Sequence, residues 1–353
     1  KEAEVLEDLE GCEMITLPME RSVSPLNDLR SLSRLIRIFR NIRPDIVHSH
    51  TPKAGLLAML AAWITRVPVR LHTIAGLPWI GFQGFSYALL RKMEQLTAAC
   101  ALRVYPNSSG LFDFLSNQRV VKVSKMKLLG RGSSNGIDCT YFSRSAIPQP
   151  DIEKLHQQVN VPREGWVWIF VGRLVREKGL CELFGAFDRL YQYYPQDQLW
   201  LVGEEEVERD PLPKDAISWM ISHPGVKRFG FREDVRPYFA AADVLVFPSY
   251  REGFPNVPLQ AGAMECAMIL SDINGCNELV KHRENGLLVP PQQEEALFQA
   301  MQQLRENAAW RNEMAGNNRK MIVENYSQET IWKLMLAEYR YFLEKKSIPY
   351  EHA

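Results

Sequence analysis

No stretch of this 353-residue chain approaches the roughly 20 consecutive apolar residues that a membrane-spanning helix needs. The opening residues KEAEVLEDLE are charged, which argues against a secretory signal. Cysteine is sparse and scattered: Cys12, Cys100, Cys139, Cys181, Cys266 and Cys276 form no CxxC pair and no Cys/His ligand spacing. A structural zinc site is therefore not expected, and a reduced, cytoplasmic compartment is. There is no RNP-type aromatic motif and no clear GXXG loop, so nucleic acid is not expected as a partner. Nor is there a DxD pair, an internal repeat or a low-complexity tract, and no metal site is expected.

Net charge is absent too, but the balance is uneven along the chain. Residues 21–130 hold 16 Lys and Arg against 4 Asp and Glu, residues 1–20 hold 1 against 7, and residues 131–353 hold 25 against 31. A basic first half predicts an anionic partner, either a membrane surface or a phosphate-bearing substrate. With 46% hydrophobic residues the chain can bury two cores, and two domains are expected.

Apolar runs alternate with amphipathic helical stretches, the pattern of a doubly wound α/β fold. Strands are predicted at 45–49, 69–73 and 102–106 in the first half, with helices near 25–42, 53–65 and 86–98. The second half has strands at 166–171, 198–202, 226–230, 243–247, 268–270 and 286–290. The expected domains are 1–145 and 160–327, joined where Pro148, Pro150 and Pro162 cluster. A last helix, within 328–353, would pack back on the first domain. A further strand is predicted at Met14 to Pro18 after a helix-like opening. A complete nucleotide-binding half would open on a strand and a Gly-rich turn, so one β-α-β unit of about 30 residues is expected to be missing upstream.

Three polar loops fall at predicted strand exits, where ligands bind in an open parallel sheet. In VGRLVREKG, Gly172 permits a tight turn, Arg173 and Lys178 supply cations, and Gly179 opens a helix whose N-terminus attracts anions. The loop suits a diphosphate; ordinary solvated surface cations are the alternative. In PSYREGFPNVPLQ, the helix is predicted from about Asn256, which leaves Glu252 in the loop and Gln260 just over one turn inside. Both would then face the crevice. Otherwise Glu252 caps the helix and Gln260 lies on the surface. In DINGCNE, Gly275 allows close backbone approach to a phosphate.

Further candidates lie in the first half. His50 and His72 stand at adjacent strand exits, though a lone histidine is often a satisfied core residue. Lys53 would meet an acceptor phosphate or simply be a surface lysine. Arg30, Arg34, Arg37 and Arg40 span about 120° of one helix face, with Leu32, Leu35, Ile36, Phe39 and Ile42 on the other. That face either adheres to anionic lipid or is merely solvated. The stretch LPWIGFQGFSY, residues 77–87, would cover a lipid acceptor or lie in the core.

Taken together, GRLVREKG, GFREDVRPYFAAADVLVFPSYREGFPNVPLQAGAM and SDINGCNELV resemble a retaining glycosyltransferase of family 4. PDIVHSHTPKAGLLAMLAA, HTIAGLP and GSSNGID fit the subset that elongates lipid-linked sugars for bacterial capsule, O-antigen or protein glycosylation. The resemblance implies a GT-B fold, with two Rossmann-like domains facing a central cleft. It implies that Arg173 and Lys178 bind the donor diphosphate, that Glu252 contacts the donor sugar, and that His72 lies near the reacting centre. Gln260 stands where the family has a second Glu on the ribose, and it lacks the charge that strengthens such bonds. Gly172, Gly253, Phe254, Asn256, Val257, Gln260, Gly275 and Asn277 complete the expected donor site, with His50 and Lys53 on the acceptor side.

The expected activity is transfer of a hexose or N-acetylhexosamine from a UDP-sugar to a polyprenyl-diphosphate-linked saccharide, without a cofactor. The expected location is the cytoplasmic face of the membrane, held there peripherally by the basic half. The rivals are a sugar-nucleotide epimerase or hydrolase on the same fold, and a donor-binding protein without turnover.

Overall fold

The computed structural model describes residues 13–20, 24–206 and 210–350. The chain divides into two compact units. The first comprises Lys1–Tyr105, Gln118–Lys127 and Tyr339–Ala353; the second comprises Pro106–Asn117 and Leu128–Glu338.

Three strands form the sheet of the first unit, in the order β1-β2-β3: β1 Ile46–Ser49, β2 Val69–Ile74 and β3 Arg103–Pro106. β1 and β2 run parallel, from Ile46 opposite Val69 to Ser49 opposite His72. Helices α1 (Pro25–Ile42), α2 (Pro52–Ile64) and α3 (Gly84–Cys100) accompany them, with α2 packed against both α1 and α3. α1 resolves its own amphipathic pattern. Its four arginines are exposed, while Leu35, Leu32, Ile36 and Phe39 join Leu57 and Ala61 of α2 in one cluster.

The strand expected at Met14 to Pro18 is not formed. Leu17 and Met19 pack on the α1–α2 cluster instead, and Ser31 Oγ donates to the Pro18 carbonyl at 3.2 Å, so helix contacts satisfy this segment without a sheet ladder. The helix-like opening, 1–10, lies outside the described residues.

In the second unit come α4 (Ser109–Asn117), α5 (Gln149–Gln158), β4 (Val167–Val171), α6 (Leu180–Tyr193), β5 (Gln198–Val202), α7 (Lys214–Ser222), β6 (Val226–Gly230) and α8 (Arg236–Ala241). They are followed by β7 (Val244–Phe247), α9 (Asn256–Ala263), β8 (Ala267–Ser271), α10 (Cys276–Leu279), β9 (Leu287–Val289), α11 (Glu294–Glu306) and α12 (Ala308–Tyr326). The final helix, α13 (Gln328–Lys345), begins in this unit and ends in the first. Every residue of β4, β5, β7 and β8 is buried, as strands covered by helices on both faces must be. β6 lies at one edge, where Lys227 and Arg228 guard it against pairing with another chain.

The six strands are parallel and ordered β6-β5-β4-β7-β8-β9. Chain order runs outward in one direction from β4 and in the other from β7. The reversal lies between those two strands, and the loops that leave them flank the crevice it opens.

Candidate functional site

The two loops beside this reversal carry the residues singled out above. After β4 the chain passes Gly172 and Arg173, makes a short 3-10 turn at Arg176–Lys178, and enters α6 through Gly179. Gly179 has φ +72°, and a β-carbon there would lie 2.0 Å from the Pro248 carbonyl oxygen at the end of β7. Only glycine lets the two loops close on each other. Across that contact Lys178 Nζ donates to Glu252 Oε1 at 2.5 Å, both side chains about 15% exposed and the ammonium 5.7 Å from the Phe247 ring centre.

Arg173 is paired as well. Its guanidinium donates to Glu206 in the loop after β5 and to Glu177 at 3.2 Å. Glu177 in turn accepts from Arg251 at 2.7 Å, and its carbonyl accepts from the Tyr250 N–H. Burial alone would raise the Glu177 carboxyl, but the hydrogen bond from Arg251 and the charges of Arg251, Lys178 and Arg173 hold it below its ordinary value. Tyr250 donates its hydroxyl to Glu182 at 2.8 Å; burial and that bond push the phenol above its usual range. Both cations expected to meet a diphosphate are thus paired with carboxylates.

The third loop leaves β8. Gly275, at φ +79°, makes its close approach to the Gly253 carbonyl, 2.3 Å from where a β-carbon would sit. Asn274 reinforces this contact: its Nδ2 donates to the carbonyls of Gly253 at 3.0 Å and Glu252 at 3.4 Å. Its Oδ1 accepts from Ser108 Oγ at 3.1 Å, and Glu278 accepts from the Ser109 and Gly110 N–H groups that open α4. Asn274 and Glu278 lie within the DINGCNE strand exit that the sequence marks, whereas Ser108 carries no local signal of this role.

α9 begins at Asn256 as expected, with Asn256 exposed and Val257 and Gln260 half-buried along its first turns. Phe254 sits just before this helix. Its ring is 8% exposed and packs with Ile137, Leu259 and Tyr326, so it anchors the loop from the core side. Asn277 is exposed and donates to Asp272 at 3.0 Å. A cavity of about 470 Å³ opens beside Arg173, lined by Gly172, Gly203, Glu206, Phe231 and Arg232. Phe231, 68% exposed, was missed, although GF at the end of the β6 run is itself a strand-exit signal.

In the first unit, His50 is exposed at the end of β1 and stacks on His48 with ring centres 4.3 Å apart. Burial, then the neighbouring His72, lowers its pKa. His72 itself is enclosed, 1% exposed, with Nδ1 2.8 Å from Ser49 Oγ and Nε2 3.5 Å from Glu94. Lys53 is held by Asp28 at 2.5 Å and by the Glu20 carbonyl at 2.8 Å, so it ties the first turns of α1 and α2 together. His48 bridges Thr73 and Tyr339 of α13, each at 2.8 Å; burial, then His50 and His72, lowers its pKa to about 3. Among the described residues no cluster of three or more His, Cys, Asp or Glu is arranged to hold a metal ion.

Comparison with known proteins adds the following. Residues 166–307 match the family model described as glycosyl transferases group 1, and residues 2–132 match the glycosyl transferase 4-like domain. The capsular polysaccharide biosynthesis glycosyltransferase CapM of Staphylococcus aureus is 31% identical over 330 residues, covering 93% of this chain and 85% of that one. The UDP-Gal:alpha-D-GlcNAc-diphosphoundecaprenol alpha-1,3-galactosyltransferase of Escherichia coli is 27% identical, covering 87% and 78%. The crystal structure of Anabaena HepE in complex with UDP superposes with TM-score 0.76 at 22% identity, covering 90% and 84%, a likeness of fold.

Proposed function

The chain belongs to the group 1, family 4-like glycosyltransferases and is an enzyme of the GT-B fold class, and on that premise we propose its reaction. It moves a hexose or N-acetylhexosamine from a UDP-sugar to a polyprenyl-diphosphate-linked saccharide in bacterial surface polysaccharide or glycan synthesis, with retention at the anomeric carbon. The name of the E. coli relative supports both substrate classes, and that of CapM supports the biosynthetic setting. The enzyme works at the cytoplasmic face of the membrane, held peripherally by its basic half, and uses no cofactor.

The observation that carries this reading is the Lys178–Glu252 pair across the strand-order reversal. When the donor binds, its diphosphate takes Lys178 and Arg173 from their carboxylates. Glu252, released, accepts from sugar hydroxyls. As the glycosidic C–O bond breaks, negative charge grows on the departing UDP, and the two cations stabilise it where it develops. The cavity beside Arg173 takes the nucleoside, and Gln260 bonds the ribose. On the acceptor side His50 is the exposed candidate, and His72 supports the strand exits from beneath.

The test is a panel of UDP-sugars offered with a lipid-linked acceptor and read by product mass. One donor should give a product heavier by one sugar, and a folded Lys178→Ala variant should lose roughly 100-fold in turnover, about 3 kcal/mol. UDP release without acceptor would make it a hydrolase. Near-normal turnover of the variant would sink the diphosphate role.

A further inference from the structure

From the first unit we infer that the exposed face of α3, with the loop before it, is a surface that inserts into anionic lipid bilayers. This deepens the proposed membrane location and rests on it, but it is read from different residues than the arginine face of α1. The stretch 77–87 divides in two. Leu77 and Trp79 are buried, Trp79 edge-on to Tyr87 with ring centres 5.2 Å apart. Residues 81–86 are all exposed, and they include Phe82 at 50% and Phe85 at 80%. A buried tryptophan thus anchors a loop that holds two phenylalanines in water.

The exposure continues along the helix. Phe85, Ala88, Leu89, Lys92, Leu96 and Ala99 are exposed and fall within about 100° of one face. The opposite side is core, with Glu94, Thr97 and Ala98 buried. A solvated helix would carry charge on its outer face; this one carries apolar residues and one lysine. Singly exposed apolar residues are ordinary, whereas a continuous row beside exposed aromatic rings marks an interaction surface.

Charge identifies the occupant. Between Asp45 and Glu94 the sequence contains no acidic residue, and Glu94 is turned inward against His72. Over the same span Arg66 and Lys92 are exposed cations. No described helix is long and apolar enough to cross a membrane. An acid-free, apolar and basic helix face suits a bilayer carrying anionic headgroups: phenylalanine and leucine enter the acyl boundary while cations meet phosphate.

The full chain should co-sediment with vesicles containing phosphatidylglycerol, far less with pure phosphatidylcholine, and less again as salt is raised. Phe82→Ser with Phe85→Ser should lower the partition coefficient about tenfold or more, because burying one phenylalanine is worth at least that factor. These side chains are exposed, so circular dichroism should not change. Leu89→Ser with Leu96→Ser should act in the same direction. Equal binding by the phenylalanine variant and the wild type would overturn the inference. So would equal binding to both vesicle types, or a wild-type dimer that the substitutions convert to monomer. Sugar transfer to a short-chain, water-soluble acceptor should be unaffected in these variants. Vesicle binding without any transfer would refute the proposed reaction and leave this surface standing.

Discussion

Asn274 shows how much of a site's precision can rest on a residue that need not touch substrate. Its amide holds two carbonyls of the Glu252 loop, the closer at 3.0 Å, while its oxygen is fixed by Ser108. Removing the amide leaves the loop free to shift the carboxylate relative to Lys178, and small misplacements cost rate more than stability. Asn274→Ala should lower kcat/KM for the donor about tenfold, the worth of one or two hydrogen bonds. The thermal midpoint should move by only a few degrees. Donor-dependent initial rates beside a melting curve check this; a large loss of stability with unchanged kinetics would assign Asn274 to the fold alone.

At the scale of elements, Asp197 joins β4, β5 and α11. Fully buried just before β5, it accepts from the Trp166 N–H at 3.0 Å, the Trp168 indole at 3.1 Å and both ways from Arg305 at 2.9 and 3.1 Å. Arg305 also lies over the rings of Trp166 and Tyr194. Truncating one partner of such a pair leaves the other charge buried and alone, so Asp197→Ala should cost roughly 3–5 kcal/mol in urea unfolding. No local pattern points to this pair, since Asp197 and Arg305 are far apart along the chain. The strands were legible for the opposite reason. Runs such as VWIFV and VLVF are apolar at every position because both sheet faces are covered, and Pro248 and Gly253 mark where β7 ends and its loop turns. What could not be read was direction: which of Trp79 and Phe85 faces inward, that Phe254 packs on Tyr326, and that Lys53 is claimed by Asp28. Such outcomes depend on partners brought together by the fold, not on local pattern.

For the whole molecule, histidines contribute to the response to mild acid. Unfolded, His48 takes up a proton near pH 6.5; folded, only near 3, because it is buried beside His50 and His72 between Thr73 and Tyr339. The stability this contributes is complete above the unfolded value and is lost as pH falls between those limits, by at most about 1.4 kcal/mol per unit. His50 and His223, also lowered, act in the same direction. Urea midpoints should therefore fall from pH 7 to pH 5, and His48→Asn, which keeps a donor and an acceptor but cannot titrate, should fall less steeply. Equal slopes would show that His48 is not the group concerned.

The way the chain passes between its two units has a practical consequence for anyone who would take it apart. It crosses after Tyr105, again after Asn117, again after Lys127 and finally after Glu338. No single cut therefore yields two halves that each keep their own parts. The span 160–327, self-contained by sequence pattern, omits Ile137, whose N–H and carbonyl bond Tyr326 and Gln328 at 2.8 and 2.9 Å. It also omits α4, whose first N–H groups the Glu278 carboxylate satisfies. A fragment cut there would leave Tyr326, Phe254 and a carboxylate stripped of their partners. A piece that keeps the second unit whole must start no later than Leu128 and run through Glu338, with Pro106–Asn117 supplied as well, so circular permutation suits this molecule better than truncation.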